Sequence, residues 1–309
     1  MQVSTIGVHE SVEAVFPPAT LRDALSDLDP DVRVVGDGDA LDECDAVVTF
    51  EHREAFLTSL DWVHSIQAGY DRYPLDEFEE AGVVLTNSTG IHGTSVGETV
   101  LGMLLSLARR LHVYARNQTE REWDRPAWDE PFTLAGERLC VVGLGTLGRG
   151  IAERAAAVGM TVDGVRRTPD PVPNVREVYA ADDLHEAVAD ARFVALATPL
   201  TEETRGLMDA AAFDAMRDDA YFVNVARGAC ADQDALVAAL REGSLAGAAL
   251  DVFEEEPLPA TSPLWEMDDV VVTPHAAAAE RDYYRHIADL VRENVRAIAA
   301  DEATVNRVV

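Results

Sequence analysis

The chain contains no lysine. All 25 of its basic residues are arginine, set against 56 acidic residues, for a formal net charge of −31 at pH 7. A field of that sign repels phosphate, which argues against nucleic acid and anionic membrane surfaces as partners. Cysteine is scarce: Cys44, Cys140 and Cys230 stand singly, without CxxC or zinc-like spacing, and read as reduced, packed thiols. His52, His64, His112, His185 and His286 have no ligand-like spacing either, so no catalytic metal is expected. No apolar run approaches the length of a membrane span, and the start MQVSTIGVHE lacks a basic stretch followed by an apolar core. The expectation is a cytoplasmic chain without membrane or nucleic-acid partners.

What is abundant is acid, dispersed through segments such as SDLDPD, DEFEE, ADDLHE and RDDA instead of gathered in one tail. That distribution suits a solvated acidic shell. Self-repulsion at this charge destabilises a compact fold in dilute buffer, whereas molar salt shortens the screening length to about 3 Å. A halophile, with a salt-rich cell interior, is therefore the expected source. Hydrophobic residues make up 48% of the 309 positions, enough for about two domains, each with its own core.

From Gln2 to Thr86, short apolar segments (TIGV, VRVV, DAVVTF, WVHSI, VVLT) alternate with helix-like stretches, the pattern of a small α/β unit. Ser95 followed by Glu98 predicts a capping box opening a long apolar helix through ETVLGMLLSLARRL, which would link two domains. The polar, proline-broken REWDRPAWDEPFTLAGE after it reads as an arm or linker. From Leu139 the apolar runs LCVVG, MTVDGV, ARFVALAT, AYFVNVA, AGAALDV and DVVVTP fit strands buried on both faces of a parallel sheet. The last helix returns to the first domain, which makes that domain discontinuous: residues 1–94 plus 277–309 around residues 95–276.

GLGTLG follows an apolar strand and precedes a helix-like segment, the setting in which GxGxxG binds a dinucleotide. Gly143 permits the tight turn, Gly145 lets backbone approach a pyrophosphate, and Gly148 lets the helix pack on the strand. Thr146 and Leu147 complete the turn at the helix N-terminus, which faces the phosphates. An acidic residue at the end of the second strand would favour NAD; here Arg166, Arg167 and Thr168 stand there and suit a 2′-phosphate. The expectation is NADP preferred and NAD tolerated. The bland reading is a pair of surface arginines, and Asp163 is a rival ribose ligand.

Downstream, Arg227 in NVARG, Glu256 at the end of DVFEEE and His275 at the end of VVVTPH each follow a predicted strand. Ligands of an open parallel sheet bind outside the carboxyl ends of its strands, so these three could converge on one substrate. His275 could pass a proton to a carbonyl oxygen, Glu256 could orient the imidazole, and Arg227 could clamp a carboxylate. Glu254 and Glu255 are rival carboxylates. Val225, beside Arg227, is a further candidate cofactor contact. Tyr283 and Tyr284 could close a pocket or pack as an aromatic pair, and His92 is a weaker candidate for a second acid.

Together these residues resemble the D-isomer-specific 2-hydroxyacid dehydrogenase family over nearly the whole chain. LAGERLCVVGLGTLGRGIA, ATPLTEETRGLM, FVNVARGA, AALDVFEEEPLP, SPLW and VVVTPHAA are similar to family blocks in family order. SPLW and the compact ending resemble the glyoxylate and hydroxypyruvate reductase branch. The resemblance implies two doubly wound, flavodoxin-like or Rossmann-like parallel-sheet domains with the active site in a cleft between them, and a homodimer built around the interdomain helix. It implies reduction of 2-oxoacids to D-2-hydroxyacids, with Arg227 on the substrate carboxylate and carbonyl, His275 as acid/base and Glu256 as its partner. The amides of Ala68 and Gly69 in IQAGYD resemble the substrate-carboxylate loop. Asp251 resembles the residue that holds the nicotinamide carboxamide, or else is a turn residue, and Thr198, Pro199 and Thr204 resemble the adenosine-side loop. A phosphoglycerate dehydrogenase and a non-catalytic, nucleotide-sensing protein of the same fold are the alternatives.

Overall fold

The computed structural model describes residues 2–309, with the side chain of Asp39 excepted. The chain forms two compact units, one of which is discontinuous. The first comprises the chain up to Ile91 together with Ala279–Val309; the second is His92–Ala278.

In the first unit, five parallel strands, β1 (Thr5–His9), β2 (Asp31–Val35), β3 (Ala46–Thr49), β4 (Trp62–Ser65) and β5 (Val84–Asn87), lie in the order β2-β1-β3-β4-β5. Helices α1 (Pro18–Ala24), α2 (Asp39–Asp42), α3 (Phe56–Ser59) and α4 (Leu75–Ala81) connect them. Alternate residues feed two cores. Ile6, Val8, Ala46, Val48 and Trp62 face one, whereas Val35, Val47, Val63 and Leu85 join Phe56 and Phe78 in the other. His64 is fully buried within β4, between the hydroxyls of Thr86 (2.8 Å) and Ser88 (3.1 Å). That burial pulls the imidazole down to about 3, so it sits in the sheet as a neutral group.

The second unit opens with α5 (Gly93–Ala108) and α6 (Leu111–Glu120). The sheet strands β6 (Arg138–Val142), β7 (Thr161–Val165) and β8 (Glu177–Tyr179) flank α7 (Thr146–Ala157). Then follow α8 (Leu184–Ala189), β9 (Phe193–Leu196), α9 (Ala210–Asp214), β10 (Tyr221–Asn224), α10 (Gln233–Glu242), β11 (Gly247–Leu250) and β12 (Val270–Val272). All seven strands are parallel, in the order β12-β11-β10-β9-β6-β7-β8, with a separate apolar core on each face. Helix α11 (Tyr283–Ala299) returns to the first unit, where Ile287, Ala288 and Val291 enter its core.

Three expectations shift. The predicted capping box does not form: α5 starts at Gly93, and the Ser95 hydroxyl donates back to the His92 carbonyl (3.3 Å). Tertiary packing extends the helix, because a Cβ on Gly93 would lie 3.0 Å from Thr146 O, and one on Gly97 would lie 2.5 Å from Gly150 O. The unit boundary accordingly falls at 91/92 instead of 94/95, and at 278/279 instead of 276/277, since Ala277 and Ala278 pack in the second unit's core. The single long helix is also broken: Arg110 adopts a left-handed backbone (φ 57°) between α5 and α6, with its guanidinium on Asp269. No helix among the described residues is long and apolar enough to cross a membrane.

Candidate active site

In the second unit the chain winds one way from β6 through β7 to β8, then reverses through β9 to β12. The switch lies between β6 and β9, and ligands of such sheets bind outside the carboxyl ends of the strands there. The glycine turn leaves β6, Thr198 follows β9, Arg227 follows β10, Asp251 and Glu256 follow β11, and His275 follows β12. These candidates therefore lie together at the carboxyl end of one sheet.

His275 and Glu256 are in contact, with imidazole Nδ1 2.8 Å from Glu256 Oε2. The other carboxylate oxygen of Glu256 accepts the Phe253 N–H at 3.1 Å, so the carboxylate cannot swing without losing a bond. With Nδ1 engaged, Nε2 is the nitrogen left for a reacting atom. The rival carboxylates lie elsewhere: Glu254 accepts the Gln233 N–H at the start of α10, and Glu255 is exposed.

His275 sits in a left-handed backbone conformation (φ 51°), uncommon outside glycine, and what holds it there is Asp251. The Asp251 carboxylate, 1% exposed, accepts the Thr273 hydroxyl (2.6 Å) and the N–H groups of Ala276 (2.8 Å) and Ala277 (2.9 Å). The His275 N–H donates to the Asp251 carbonyl at 2.8 Å. One residue at the end of β11 thus ties down both sides of the turn after β12.

Arg227 is half-buried, with Nη1 donating to the Ala226 carbonyl at 2.8 Å. Asn224 shapes its turn: the side-chain amide donates to Arg227 O (3.2 Å) and accepts the Ala226 N–H (3.0 Å). Gly228 allows the turn to touch the loop that carries Glu256, since a Cβ there would lie 1.9 Å from the Phe253 carbonyl carbon. Neither Asn224 nor Thr273 is among the residues that the sequence pattern points to. Asn224 carried a local signal, the spacing of an Asx turn that closes on itself within NVARG, whereas the partner of Thr273 is remote in the chain.

The glycine turn has the shape of a phosphate cradle. Gly143 has φ 99°, and a Cβ there would lie 2.7 Å from Ala197 O, while a Cβ on Gly148 would lie 1.8 Å from Gly143 O. A Cβ on Gly145 would meet open space. No side chain caps α7, so its first-turn amides, beginning at Thr146 and Leu147, remain for an anion. Beside Gly143, the buried Thr198 hydroxyl has no hydrogen-bond partner among the described residues. Thr204 closes the neighbouring loop by donating to Pro199 O at 2.6 Å, and Val225 is buried where β10 ends. At the end of β7, Arg166 is half-buried and Arg167 and Thr168 are exposed. Asp163 is not available to a ribose: both of its oxygens are held by Arg176 (2.8 and 2.6 Å) across the β7–β8 pair. A dinucleotide fits these features.

In the first unit, Ala68 and Gly69 are half-buried just beyond β4. Tyr283 is core: its ring packs near Phe16 and its hydroxyl donates to Ile66 O. Tyr284 lies outside that core, near Phe16 and Arg285. His92 is buried immediately before α5.

The family described as D-isomer specific 2-hydroxyacid dehydrogenase, NAD binding domain, matches residues 101–277. A glyoxylate reductase of Thermofilum pendens is 33% identical over 317 residues, spanning 97% of this chain and 88% of its own. A D-isomer specific 2-hydroxyacid dehydrogenase of Xanthobacter autotrophicus Py2, solved with NADPH and MES, superposes with a TM-score of 0.83 at 33% identity, over 99% of this chain and 98% of that one. An NADPH-dependent glyoxylate/hydroxypyruvate reductase of Sinorhizobium meliloti, solved with NADP and sulfate, gives a TM-score of 0.82 at 27% identity, over 99% and 98%.

Replacing Asp251 by alanine removes a buried acceptor of three hydrogen bonds from the turn after β12. The expected loss is about 2–4 kcal/mol of unfolding free energy, with faster hydrogen exchange at Ala276 and Ala277. Unchanged stability and protection would show that the turn keeps its shape without the carboxylate.

Proposed function

Because the chain belongs to the D-isomer specific 2-hydroxyacid dehydrogenase family and is an NAD(P)-dependent oxidoreductase, we propose that it reduces small 2-oxoacids such as glyoxylate and hydroxypyruvate to D-2-hydroxyacids, with NADPH as the preferred donor. The observation that carries this reading is the His275–Glu256 pair, 2.8 Å apart, at the same carboxyl end of the sheet as Arg227. Phosphoglycerate as the main substrate is not favoured, since the relative that aligns along 97% of the chain is a glyoxylate reductase. A purely nucleotide-sensing role gives way to catalysis on the same grounds.

The dinucleotide would be held by Gly143, Gly145, the first turn of α7 at Thr146 to Gly148, Thr198, Pro199, Thr204 and Val225, with Asp251 acting through the turn that its buried carboxylate holds and Arg166, Arg167 and Thr168 on the 2′-phosphate. When bound, it supplies the hydride. Arg227 binds the substrate carboxylate and polarises the carbonyl, and the Ala68 and Gly69 amides bind the carboxylate as well. As charge develops on the carbonyl oxygen, His275 Nε2 delivers the proton and Glu256 stabilises and orients the imidazolium through Nδ1.

Fully exposed Trp123 (95%) and Trp128 (93%) follow α6, and Leu105 and Leu111 lie partly exposed on α5 and α6. A second copy of the chain is the proposed cover, giving a homodimer. A salt-rich cytoplasm is proposed as its setting, because a net charge of −31 needs screening to fold and to associate.

Glyoxylate and hydroxypyruvate should be turned over in molar KCl with consumption of NADPH. His275→Ala should lower kcat by about 10² or more while the protein still binds nucleotide; near-normal turnover would remove His275 from the mechanism. The double substitution Arg166→Ala, Arg167→Ala should raise the KM for NADPH about tenfold or more and leave that for NADH nearly unchanged. Equal effects on the two nucleotides would refute the phosphate assignment. Light scattering should give a dimer in molar KCl, with a melting temperature that rises with salt; a monomer, or a melting temperature that falls, would count against the proposed assembly and setting.

A further inference from the structure

We infer that Asn87 is a positioning residue for substrate recognition: it aims the backbone amides of Ala68 and Gly69 as a pair of anion-binding donors. The inference rests on the reading of Ala68 and Gly69 as the carboxylate loop and explains why that loop is competent.

The parallel ladder between β4 and β5 reaches Ser65 opposite Asn87 and stops. Beyond it, two further bonds cross from the β5 end. The Ser88 N–H donates to Gln67 O at 3.0 Å, and the Asn87 side-chain amide donates to Ala68 O at 2.7 Å. In a planar trans peptide the N–H points opposite to the carbonyl that precedes it. Pinning Gln67 O toward β5 therefore turns the Ala68 N–H away from it, and pinning Ala68 O turns the Gly69 N–H the same way. Among the described residues neither N–H has an acceptor, although both residues are half-buried and most buried backbone donors are paired. Two consecutive, unpaired donors on one side of the chain form a concavity suited to a carboxylate.

Other groups brace the loop without fixing its last plane. Tyr283 bonds Ile66 O, the Gln67 side chain donates to Phe50 O at 2.8 Å, and the Gln67 N–H donates to Ser65 Oγ at 3.2 Å. Asn87 alone holds the Ala68–Gly69 peptide among the described residues. It is itself held: 3% exposed, its Oδ1 accepts the Thr89 N–H at 3.1 Å, and its backbone N–H donates to Asn306 O at 3.1 Å. Thr89 demands the oxygen and Ala68 the nitrogen, which assigns the amide orientation. An aspartate of the same shape would keep the bond to Thr89 and set a carboxylate oxygen against the Ala68 carbonyl.

The test uses Asn87→Asp and Asn87→Ala, the second removing the donor without adding charge, so that it carries the measurement if the first fails to fold. Each should raise the KM for glyoxylate and the dissociation constant of the carboxylate inhibitor oxamate by about tenfold, the scale of a lost hydrogen bond to a charged group. The kcat should fall less than kcat/KM, and NADPH affinity should stay within about twofold. In parallel, the amides of Ala68 and Gly69 are followed by NMR in selectively labelled wild-type protein as oxamate is added. Shifted amides with weakened variants are the expected result. Shifted amides with unweakened variants would overturn the role of Asn87 and leave the carboxylate loop standing. Amides unmoved by bound oxamate would overturn the loop reading, and this inference with it.

Discussion

The buried carboxylate of Asp251 is the constraint on which the candidate site depends. It stands at the end of β11, between the strand that delivers Arg227 and the strand that delivers His275, and accepts three hydrogen bonds from the turn after β12. Those bonds, with the Asp251 carbonyl on the His275 N–H, hold a histidine in a left-handed conformation that it would not keep alone. Glu256, a few residues beyond Asp251 on the same loop, is then in reach of the imidazole, and Gly228 lets the Arg227 turn lie directly against that loop. The His275–Glu256 pair and the Arg227 turn are thus arranged by one carboxylate and one missing side chain. A site supported by the ends of adjacent strands is stiffer than one built on loops alone.

The absence of lysine gives this acidic molecule a particular kind of internal order. Every cationic side chain is a guanidinium, able to bind two oxygens at once and to stack on rings. Arg176 grips both oxygens of Asp163, Arg292 reaches Asp27 and the Ala24 carbonyl, and Arg192 pairs with Asp219 while lying 4.5 Å from the centre of the Phe132 ring. Each has one partner in water, and pairs near the surface contribute little each. Their effect here is one of geometry: the Arg176–Asp163 pair engages the acid closest in sequence to the end of β7, ahead of Arg166 and Arg167, which begin the loop. The surrounding acidic surface repels anions in dilute solution, so an anion that binds must be held by local donors.

Much of the fold was legible in the sequence because strands buried on both faces read as unbroken apolar runs. FVAL and GAAL are two such strands, and the glycines of GLGTLG stand where β6 turns into α7. Strand β8 was not foreseen: Glu177–Tyr179 is a short edge strand with no apolar run, recognisable only through its pairing with β7. The start of α5 departs from the Ser95 cap for a related reason: Gly93 and Gly97 let α5 lie against α7, a contact that exists only once the unit packs. At the site, Arg, Glu and His were visible as residue types after strands. Their supports were not: Thr273 and Asn87 act on Asp251 and Ala68, partners that become neighbours only once the sheets form.

The central claim is that His275 and Glu256 act as one unit. The direct measurement is a double-mutant cycle on kcat for glyoxylate reduction with His275→Ala, Glu256→Gln and the combination, each at saturating nucleotide. The account predicts strong non-additivity, the double variant turning over about as slowly as His275→Ala alone, because the carboxylate has nothing to orient once the imidazole is gone. Losses that multiply would contradict it and would assign Glu256 a role of its own.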